Sequence, residues 1–329
     1  MTSSPTPSPG LLAESGLDSR LLDCWEVTLA MSLLARGRRD VRSVLGSQWW
    51  FAFDPGGEGA PRLDFEPVDD RCAALAGLRP HTGRPGPGRL AETCRTALDR
   101  GESPMVVTDA YLLPWCPYAG RKHVEHSFAV TAAGEELRVV DGYDNRTEWG
   151  DARPLEAVVD RDLLAVLEGD PATRVVTLRP VPPTAAIDRT ALFQANIAAL
   201  ADGNGFASYR PFAEHYCHAG VEVGDFEAFC EACWTIERRR GLYATWLDDL
   251  AAEPGGGAAE AAEVAARFRA EIVPRWAEVN RFAYLALRRM RAGRRPNDSL
   301  AGLVEAAAAA EAALAAELVA RFAVPGRPG

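Results

Sequence analysis

Apolar and polar positions in the first half of the chain follow two different periods, which predicts a mixture of helices and strands. The segment CWEVTLAMSLLARG (24–37) has apolar residues at helical spacing and predicts a buried helix. Two segments that end at glycines, 89–101 and 154–169, predict further helices. Short apolar runs predict strands at 48–53, 104–107, 126–130, 136–140 and 173–178. This order is typical of the α+β class.

Beyond the proline-rich segment PVPPTAAID (180–188), the pattern becomes helical throughout. Helices are predicted at 188–203, about 208–218, 224–253, 257–293 and 298–323. The last of these is rich in alanine and carries leucines and valines on one stripe, so it is expected to pack on a neighbouring helix. We therefore expect an α+β domain over 13–183 and an all-α domain over 184–329. The Ser, Thr and Pro residues of 1–12 predict a disordered tail.

Composition and charge narrow the range of functions. The chain has 36 basic and 46 acidic residues, a net charge of −10, which disfavours nucleic acid as the main partner. No apolar run is long enough for a membrane span and the start lacks a secretory signal, so we expect a cytoplasmic protein with no membrane partner. The seven cysteines are odd in number and irregularly spaced, which favours reduced thiols over disulfides.

The stretch HVEHSFAVTAAGEELRVVDGYDN (123–145) carries the most specific candidate chemistry. A hairpin with a two-residue turn at Ala133 and Gly134 would place His126 directly opposite Asp141. An aspartate that binds one imidazole nitrogen fixes the tautomer and leaves the other nitrogen as a base. A second arrangement pairs His123 with Asp144 on the other face, further out in the loop.

A base of this kind needs a nucleophile, and Cys24 is the best candidate. It lies at the predicted start of an apolar helix, where unpaired N–H groups and the helix dipole favour a thiolate. Its own N–H is also available to an oxyanion. Cys24, His126 and Asp141, in this chain order, match the papain-like plan. The competing interpretation is that the cysteine is a small core residue and the histidine is only structural.

Three segments surround the candidate residues: DCWEVTLAMSLLARG, DAYLLPWCPYAGRKHVEHSFAVTA and VVDGYDN. They resemble the butirosin biosynthesis protein H family, which is related to papain-like, bacteriocin-processing cysteine peptidases. The segment CWTIERRRGLYATWLDDL (233–250) is similar to the helical domain that commonly follows in that family. The resemblance implies a papain-like cysteine-protease fold followed by an all-α domain. It also implies that Cys24 is the nucleophile, His126 the base and Asp141 the orienting residue.

The family resemblance further implies an acyltransferase of natural-product (antibiotic) biosynthesis. An acyl or aminoacyl group would pass from a carrier-protein thioester to an amine, through an acyl-cysteine intermediate. Phosphopantetheine would enter only as the carrier-bound arm of the donor, and no other cofactor is expected. The open alternatives are a cysteine hydrolase, either peptidase or thioesterase, on the same three residues, and a binding protein without catalysis.

The sequence departs from the related peptidases just before the cysteine. Those enzymes have a glutamine there to complete the oxyanion hole, whereas GLDSRLLDC contains none. Ser19, Arg20, Asp23 or a second backbone N–H would have to replace it. Because a thioester is already activated, this departure favours thioester transfer over peptide hydrolysis.

Several side chains near these motifs are candidates for substrate contact. Large apolar side chains would line a pocket that keeps water from an acyl-enzyme. Packing in the hydrophobic core is an equally good interpretation of these residues. Asp109 and Tyr111, just past a predicted strand, are expected to contact the amine. The residues expected to wall the pocket are Trp49, Trp50, Leu113, Trp115 and Tyr118.

The helical half contains candidate residues for docking of a partner and for metal binding. The basic runs Arg238–Arg240 and 288–296 would suit an acidic carrier protein, or would be solvated helix faces. The segments HYCHAG and FCEACW offer zinc ligands, but the C-x-x-C lies inside a predicted helix and favours core packing, so no metal is expected. The residues concerned are His215, Cys217, His218, Cys230 and Cys233.

Overall fold

The computed structural model describes residues 6–54, 62–64, 68–182, 187–201, 208–218, 220–253, 258–294 and 299–322. Within these ranges the chain is a mixed α+β protein, as predicted. It divides into two compact units. The first consists of Met1–Val44 and Val68–Ala186, and the second of Leu45–Pro67 and Ile187–Gly329. In the part of the chain described, no helix has both the length and the apolar character needed to cross a membrane.

Helices and strands are numbered here in chain order. The helices are α1 (Pro9–Ser15), α2 (Cys24–Ala35), α3 (Val41–Gly46), α4 (Val68–Ala76), α5 (Leu90–Asp99), α6 (Arg161–Gly169), α7 (Arg189–Ala201), α8 (Tyr209–Tyr216), α9 (Val223–Ala252), α10 (Ala258–Arg267), α11 (Val273–Arg291) and α12 (Ser299–Phe322). The strands are β1 (Ala52–Asp54), β2 (Arg62–Asp64), β3 (Leu78–Gly83), β4 (Met105–Asp109), β5 (Glu125–Ala133), β6 (Leu137–Asp141), β7 (Asn145–Thr147), β8 (Gly150–Ala152), β9 (Leu155–Val159) and β10 (Arg174–Pro180).

A six-stranded antiparallel sheet forms the centre of the first unit, in the order β3-β10-β4-β5-β6-β9. Strand β5 lies inside the sheet and is covered by helices on both faces. Its Ser127 bonds to α2, while the neighbouring Phe128 packs with Leu90 and Cys94 of α5. Because neighbouring residues of a strand point to opposite faces, this double cover explains the unbroken buried run from His126 to Val130.

Helix α2 is buried almost throughout, from Glu26 to Ala35, as a helix that is apolar on all sides must be. The turn after β6 packs closely on this helix at Gly142. A Cβ atom at Gly142 would lie 2.8 Å from Val27 Cγ2 and 3.0 Å from Met31 Cε. The absence of a side chain at this position therefore lets the end of β6 approach the helix that begins at Cys24.

The second unit is built around a buried carboxylate. Glu311 of α12 is fully buried and pairs with Arg240 of α9, with Arg240 Nε 2.8 Å from Glu311 Oε1. Trp276 Nε1 donates to the same carboxylate at 2.6 Å and Trp49 Nε1 at 2.9 Å. A buried ion pair is best tolerated when further hydrogen bonds satisfy its polar atoms, and each oxygen of Glu311 receives one from a tryptophan.

This network corrects the domain boundary predicted from the sequence. The segment Leu45–Pro67 belongs to the second unit rather than to a domain over 13–183. The reason is that Trp49 and Phe51 are buried in the aromatic core of that unit, and Trp49 bonds Glu311 across 262 residues of chain. A boundary placed where the composition changes does not reveal that an earlier segment of the chain packs into the second unit.

Three local predictions also need correction. Helix α1 begins at Pro9 and buries Leu12, so the predicted tail over 1–12 is ordered in its second half, while residues 1–5 lie outside the described residues. The predicted helix over 154–169 is a strand, β9, followed by α6, because Asp160 caps a new helix by accepting a hydrogen bond from Leu163 N (2.9 Å). Of the strand predicted at 48–53, only Ala52 and Phe53 belong to a strand, β1.

The close approach at Gly142 gives a stability prediction. Gly142→Ala should lower the free energy of unfolding by about 1–3 kcal/mol, because the new methyl group overlaps Val27 and Met31. The control is Gly134→Ala, where an added Cβ meets no atom within 4 Å and the change should stay within about 0.5 kcal/mol. Urea denaturation compares the two variants. Equal stability of the two variants would show that Val27 and Met31 of α2 can move to accommodate the added methyl group.

Candidate active site

The predicted nucleophile, Cys24, is the first residue of α2. A capping box fixes this helix start. Asp23 Oδ1 accepts a hydrogen bond from Glu26 N at 2.7 Å, and Glu26 Oε2 accepts one from Asp23 N at 3.1 Å. The half-buried Cys24 therefore lies at the positive end of the helix dipole, where backbone N–H groups have no partner within the helix. This position suits both a thiolate and a developing oxyanion.

The predicted base, His126, is the second residue of β5, and its imidazole lies between the other two predicted residues. Its Nε2 donates a hydrogen bond to Asp141 Oδ2 at 2.7 Å. The Cys24 thiol donates to the carbonyl oxygen of Glu125 at 3.7 Å, and its interaction with the imidazole is one of the causes that raise the pKa of His126. Since Nε2 is bound to Asp141, Nδ1 is the ring nitrogen left to interact with the thiol. The three residues that the sequence singled out thus meet in one place.

Asp141 is held by more donors than the sequence suggested. Its Oδ2 also accepts a hydrogen bond from Trp115 Nε1 at 3.0 Å, and its Oδ1 accepts one from Tyr143 N at 3.0 Å. Trp115, expected as a pocket wall, is half-buried, donates to this carboxylate and packs edge-to-face on Phe128 at 5.7 Å. Asp141 therefore has a fixed direction, and it imposes that direction on the imidazole.

The hairpin register that predicted this pair was wrong by two residues. A turn at Ala133 and Gly134 would have placed Ala129 opposite Arg138, but it lies opposite Val140, and β5 contains a bulge. A shift by two keeps side chains on the same face of the sheet, so His126 and Asp141 become diagonal neighbours instead of directly opposite ones. Their contact therefore survives the error.

The ionisation of His126 follows from these neighbours. Complete burial lowers the pKa of its imidazole, because the charged form loses its hydration. The negative charge of Asp141 and the hydrogen bonds to Asp141 and Cys24 outweigh this cost and raise the pKa well above its ordinary value of 6.5. The imidazolium is thus the favoured form around neutral pH, suited to stabilise a thiolate beside it.

Two hydroxyl groups that the sequence did not single out tie α2 to β5. Ser127 Oγ donates to the carbonyl oxygen of Cys24 at 2.7 Å. Thr28 Oγ1 lies 2.8 Å from the same carbonyl oxygen and 3.1 Å from that of Ser127. The nucleophile and the base are therefore joined through their own backbones. The available signal was a serine directly after His126 in an otherwise apolar strand, with a threonine one turn after Cys24.

His123 forms a second imidazole–carboxylate pair, but with Asp109 and not with Asp144 as the alternative arrangement required. His123 Nδ1 lies 2.5 Å from Asp109 Oδ2, and its ring stacks on Tyr111 at 4.2 Å. Asp144 instead accepts hydrogen bonds from Arg153 Nη1 at 3.3 Å and Ser19 Oγ at 3.5 Å. Asp109 and Tyr111, predicted to contact substrate, therefore belong to one cluster with His123.

The remaining predicted pocket residues do not all line one site. Trp49 is fully buried in the second unit, so the prediction that it contacts substrate is wrong. Trp50 belongs to the same segment of the second unit. Leu113 is a fully buried core residue. Tyr118 is half-buried and packs edge-to-face on Trp149 at 5.5 Å.

The residues considered for the oxyanion hole have other partners. Arg20 forms two hydrogen bonds to Asp18, at 2.9 and 2.7 Å, and its side chain is exposed. Asp23 caps the helix, and Ser19 contacts Asp144. The backbone N–H of Cys24 is thus the donor that the helix start itself supplies.

The cysteine cluster of the second unit shows no metal geometry. Within the described ranges, no group of three or more His, Cys, Asp and Glu side chains is arranged to hold an ion. Burial raises the pKa of Cys217 to about 11 and that of Cys230 to about 12, while Cys233 is fully buried in the core. These three thiols pack in or against the apolar core of the second unit.

Comparison of the sequence with protein-family models finds no match, and comparison with curated proteins finds none either. The chemistry of this chain is therefore inferred from the geometry of Cys24, His126 and Asp141.

The raised pKa of His126 gives a prediction for proton NMR. The His126 ring resonance should titrate well above pH 6.5. Asp141→Asn should move the midpoint to lower pH, because it removes the negative charge that offsets the cost of burying the imidazolium. The stabilisation from the raised pKa is present below about pH 6.5 and is lost as the pH rises through the folded-state value. The stability advantage of the wild type over Asp141→Asn should therefore shrink as the pH rises.

The resonance is assigned with His126→Gln, which removes it from the spectrum. An unchanged midpoint in Asp141→Asn would mean that the carboxylate does not control this imidazole.

Proposed function

We propose that this protein is a cysteine-dependent acyltransferase that moves an acyl or aminoacyl group from a carrier-protein thioester to an amine. The observation that carries the proposal is the convergence of Cys24, His126 and Asp141, with the thiol at a helix start and the imidazole fixed by a buried carboxylate. A nucleophile on a buried helix, followed in the chain by base and carboxylate on an antiparallel sheet, also supports a papain-like fold for the first unit.

In the first half-reaction, the Cys24 thiolate attacks the thioester carbonyl carbon. The oxygen of the tetrahedral intermediate carries the negative charge, and the Cys24 N–H at the helix start is the donor proposed for it. The C–S bond to the donor then breaks, and the leaving thiolate takes the proton of the His126 imidazolium. This step leaves acyl-Cys24 beside a neutral imidazole.

In the second half-reaction, the amine attacks acyl-Cys24. The new C–N bond forms, His126 takes a proton from nitrogen, and the electron pair of the breaking C–S bond returns to the sulfur of Cys24. Attack by water in place of the amine would give a hydrolase on the same residues. The lack of a glutamine before Cys24 favours a substrate that is already activated, hence a thioester and not a peptide.

The resemblance to the butirosin biosynthesis protein H family supports a place in natural-product biosynthesis and a carrier protein as donor. One of the two predicted docking clusters is corrected by the structure. Arg238 and Arg240 are buried, Arg238 over the ring of Trp234 and Arg240 against Glu311. In the other cluster, Arg288, Arg289, Arg291 and Arg294 are exposed and Met290 is half-buried, and 295–298 lie outside the described residues. Docking of the carrier is therefore proposed for 288–296.

Intact-protein mass spectrometry with a small acyl thioester tests the proposal. The wild type should gain the mass of the acyl group, Cys24→Ala should gain none, and His126→Ala should be acylated roughly 10²–10⁴-fold more slowly. Cys94→Ala is the matched control, because burial raises the pKa of Cys94 to about 12 and this thiol should not react.

Product analysis with and without an added amine completes the test. The transferase should form the amide whenever the amine is present. Release of free acid irrespective of amine would support the hydrolase, and lack of acylation in the wild type would favour a binding protein.

A further inference from the structure

A second acid–base cluster lies at the end of the sheet that carries His126. The pairing of Asp109 with Glu125 continues through a hydrogen bond from Ala110 N to Val124 O at 2.8 Å. This continuation brings Tyr111 opposite His123, and their rings stack nearly parallel, 12° apart. Asp109 Oδ2 holds His123 Nδ1 at 2.5 Å, so Nε2 is the ring nitrogen left for a ligand.

This cluster is close to the nucleophile along β5. In an extended chain, residues 123, 125 and 127 point to the same face. The hydroxyl of Ser127 bonds to the Cys24 carbonyl, and the carbonyl of Glu125 accepts a hydrogen bond from the Cys24 thiol. His123 lies two residues before Glu125, the first residue of β5, which is about 7 Å in an extended chain at about 3.3 Å per residue. Its side chain is 73 % exposed and open to a ligand.

The proposed transfer needs a second base. An aliphatic amine is an ammonium ion at neutral pH, so two protons must leave its nitrogen before a neutral amide results. His126 is neutral once acyl-Cys24 has formed, and it can accept only one of them. The other must leave before the attack, because an ammonium nitrogen has no free electron pair.

Resting on the proposed acyl transfer, we propose that Asp109, His123 and Tyr111 form the acceptor site and that His123 takes the first proton of the ammonium group. The ammonium gives this proton to His123 Nε2, and its freed electron pair forms the C–N bond with the carbonyl carbon of acyl-Cys24. The second proton passes to His126 as the C–S bond breaks and its electron pair stays on sulfur. His123 then releases its proton to water.

The charge around His123 suits this role. Burial raises the pKa of Asp109, but the hydrogen bond to His123 and those from the backbone of Tyr111 and Val124 outweigh it and lower the pKa below its ordinary value. Asp109 is thus a carboxylate near neutral pH, and it attracts an approaching cation. The carboxylate of Glu125, the residue opposite Asp109, pairs with Arg174 at 2.5 Å.

The test compares two nucleophiles on the same acyl-enzyme. Full-length protein is acylated with an acyl N-acetylcysteamine thioester, and the ratio of amide to free acid is measured with ethanolamine, which is protonated at neutral pH, and with hydroxylamine, which is largely unprotonated. His123→Gln should lower the ethanolamine ratio by roughly 10²-fold, because general-base catalysis is lost. It should leave the hydroxylamine ratio as in the wild type. His81→Gln, a change at an exposed histidine of β3, should match the wild type with both nucleophiles.

Each other outcome overturns a defined part of the account. An unchanged ethanolamine ratio in His123→Gln would remove His123 from the reaction while leaving acyl transfer in place. An equal fall with both nucleophiles would show a structural effect and overturn the role in proton transfer. If the wild type forms no acyl-Cys24, or forms it but gives only free acid with both amines, the proposed transfer fails and this inference fails with it.

Discussion

The hydrogen bond between His126 Nε2 and Asp141 Oδ2 is the interaction on which the candidate site depends. It is buried, and it leaves the other ring nitrogen, Nδ1, available to Cys24. Trp115 and the backbone of Tyr143 bind the same carboxylate, so its direction is set by donors that do not take part in the chemistry. A single buried charge thus determines both the orientation and the protonation of the imidazole, since it offsets the cost of burying the charged ring.

The rest of the first unit holds the thiol against this pair. The capping box of Asp23 and Glu26 sets where α2 begins, and the hydroxyl of Ser127 fixes the carbonyl of Cys24 to the strand that carries the base. Gly142 lets the turn after Asp141 pack onto the same helix. These contacts involve backbone atoms of α2, of β5 and of the turn after β6. The positions of the three side chains therefore do not depend on flexible side chains alone.

The sequence predicted what depends on local pattern and missed what depends on distant packing. A helix start and a polar residue at each end of a hairpin are local signals, and they were enough to name Cys24, His126 and Asp141 even though the register was wrong by two. Trp49 was misassigned because its partner, Glu311, lies 262 residues away. The pair of His123 with Asp109 was missed for a similar reason, since it joins β5 to a neighbouring strand outside the hairpin.

The rate of alkylation of Cys24 by iodoacetamide, assigned by peptide mass spectrometry, tests the central claim most directly. If His126 stabilises the thiolate of Cys24, the wild type should react at least about tenfold faster near neutral pH than His126→Ala. Equal rates in the two proteins would contradict the account, because they would show that the imidazole has no influence on the thiol.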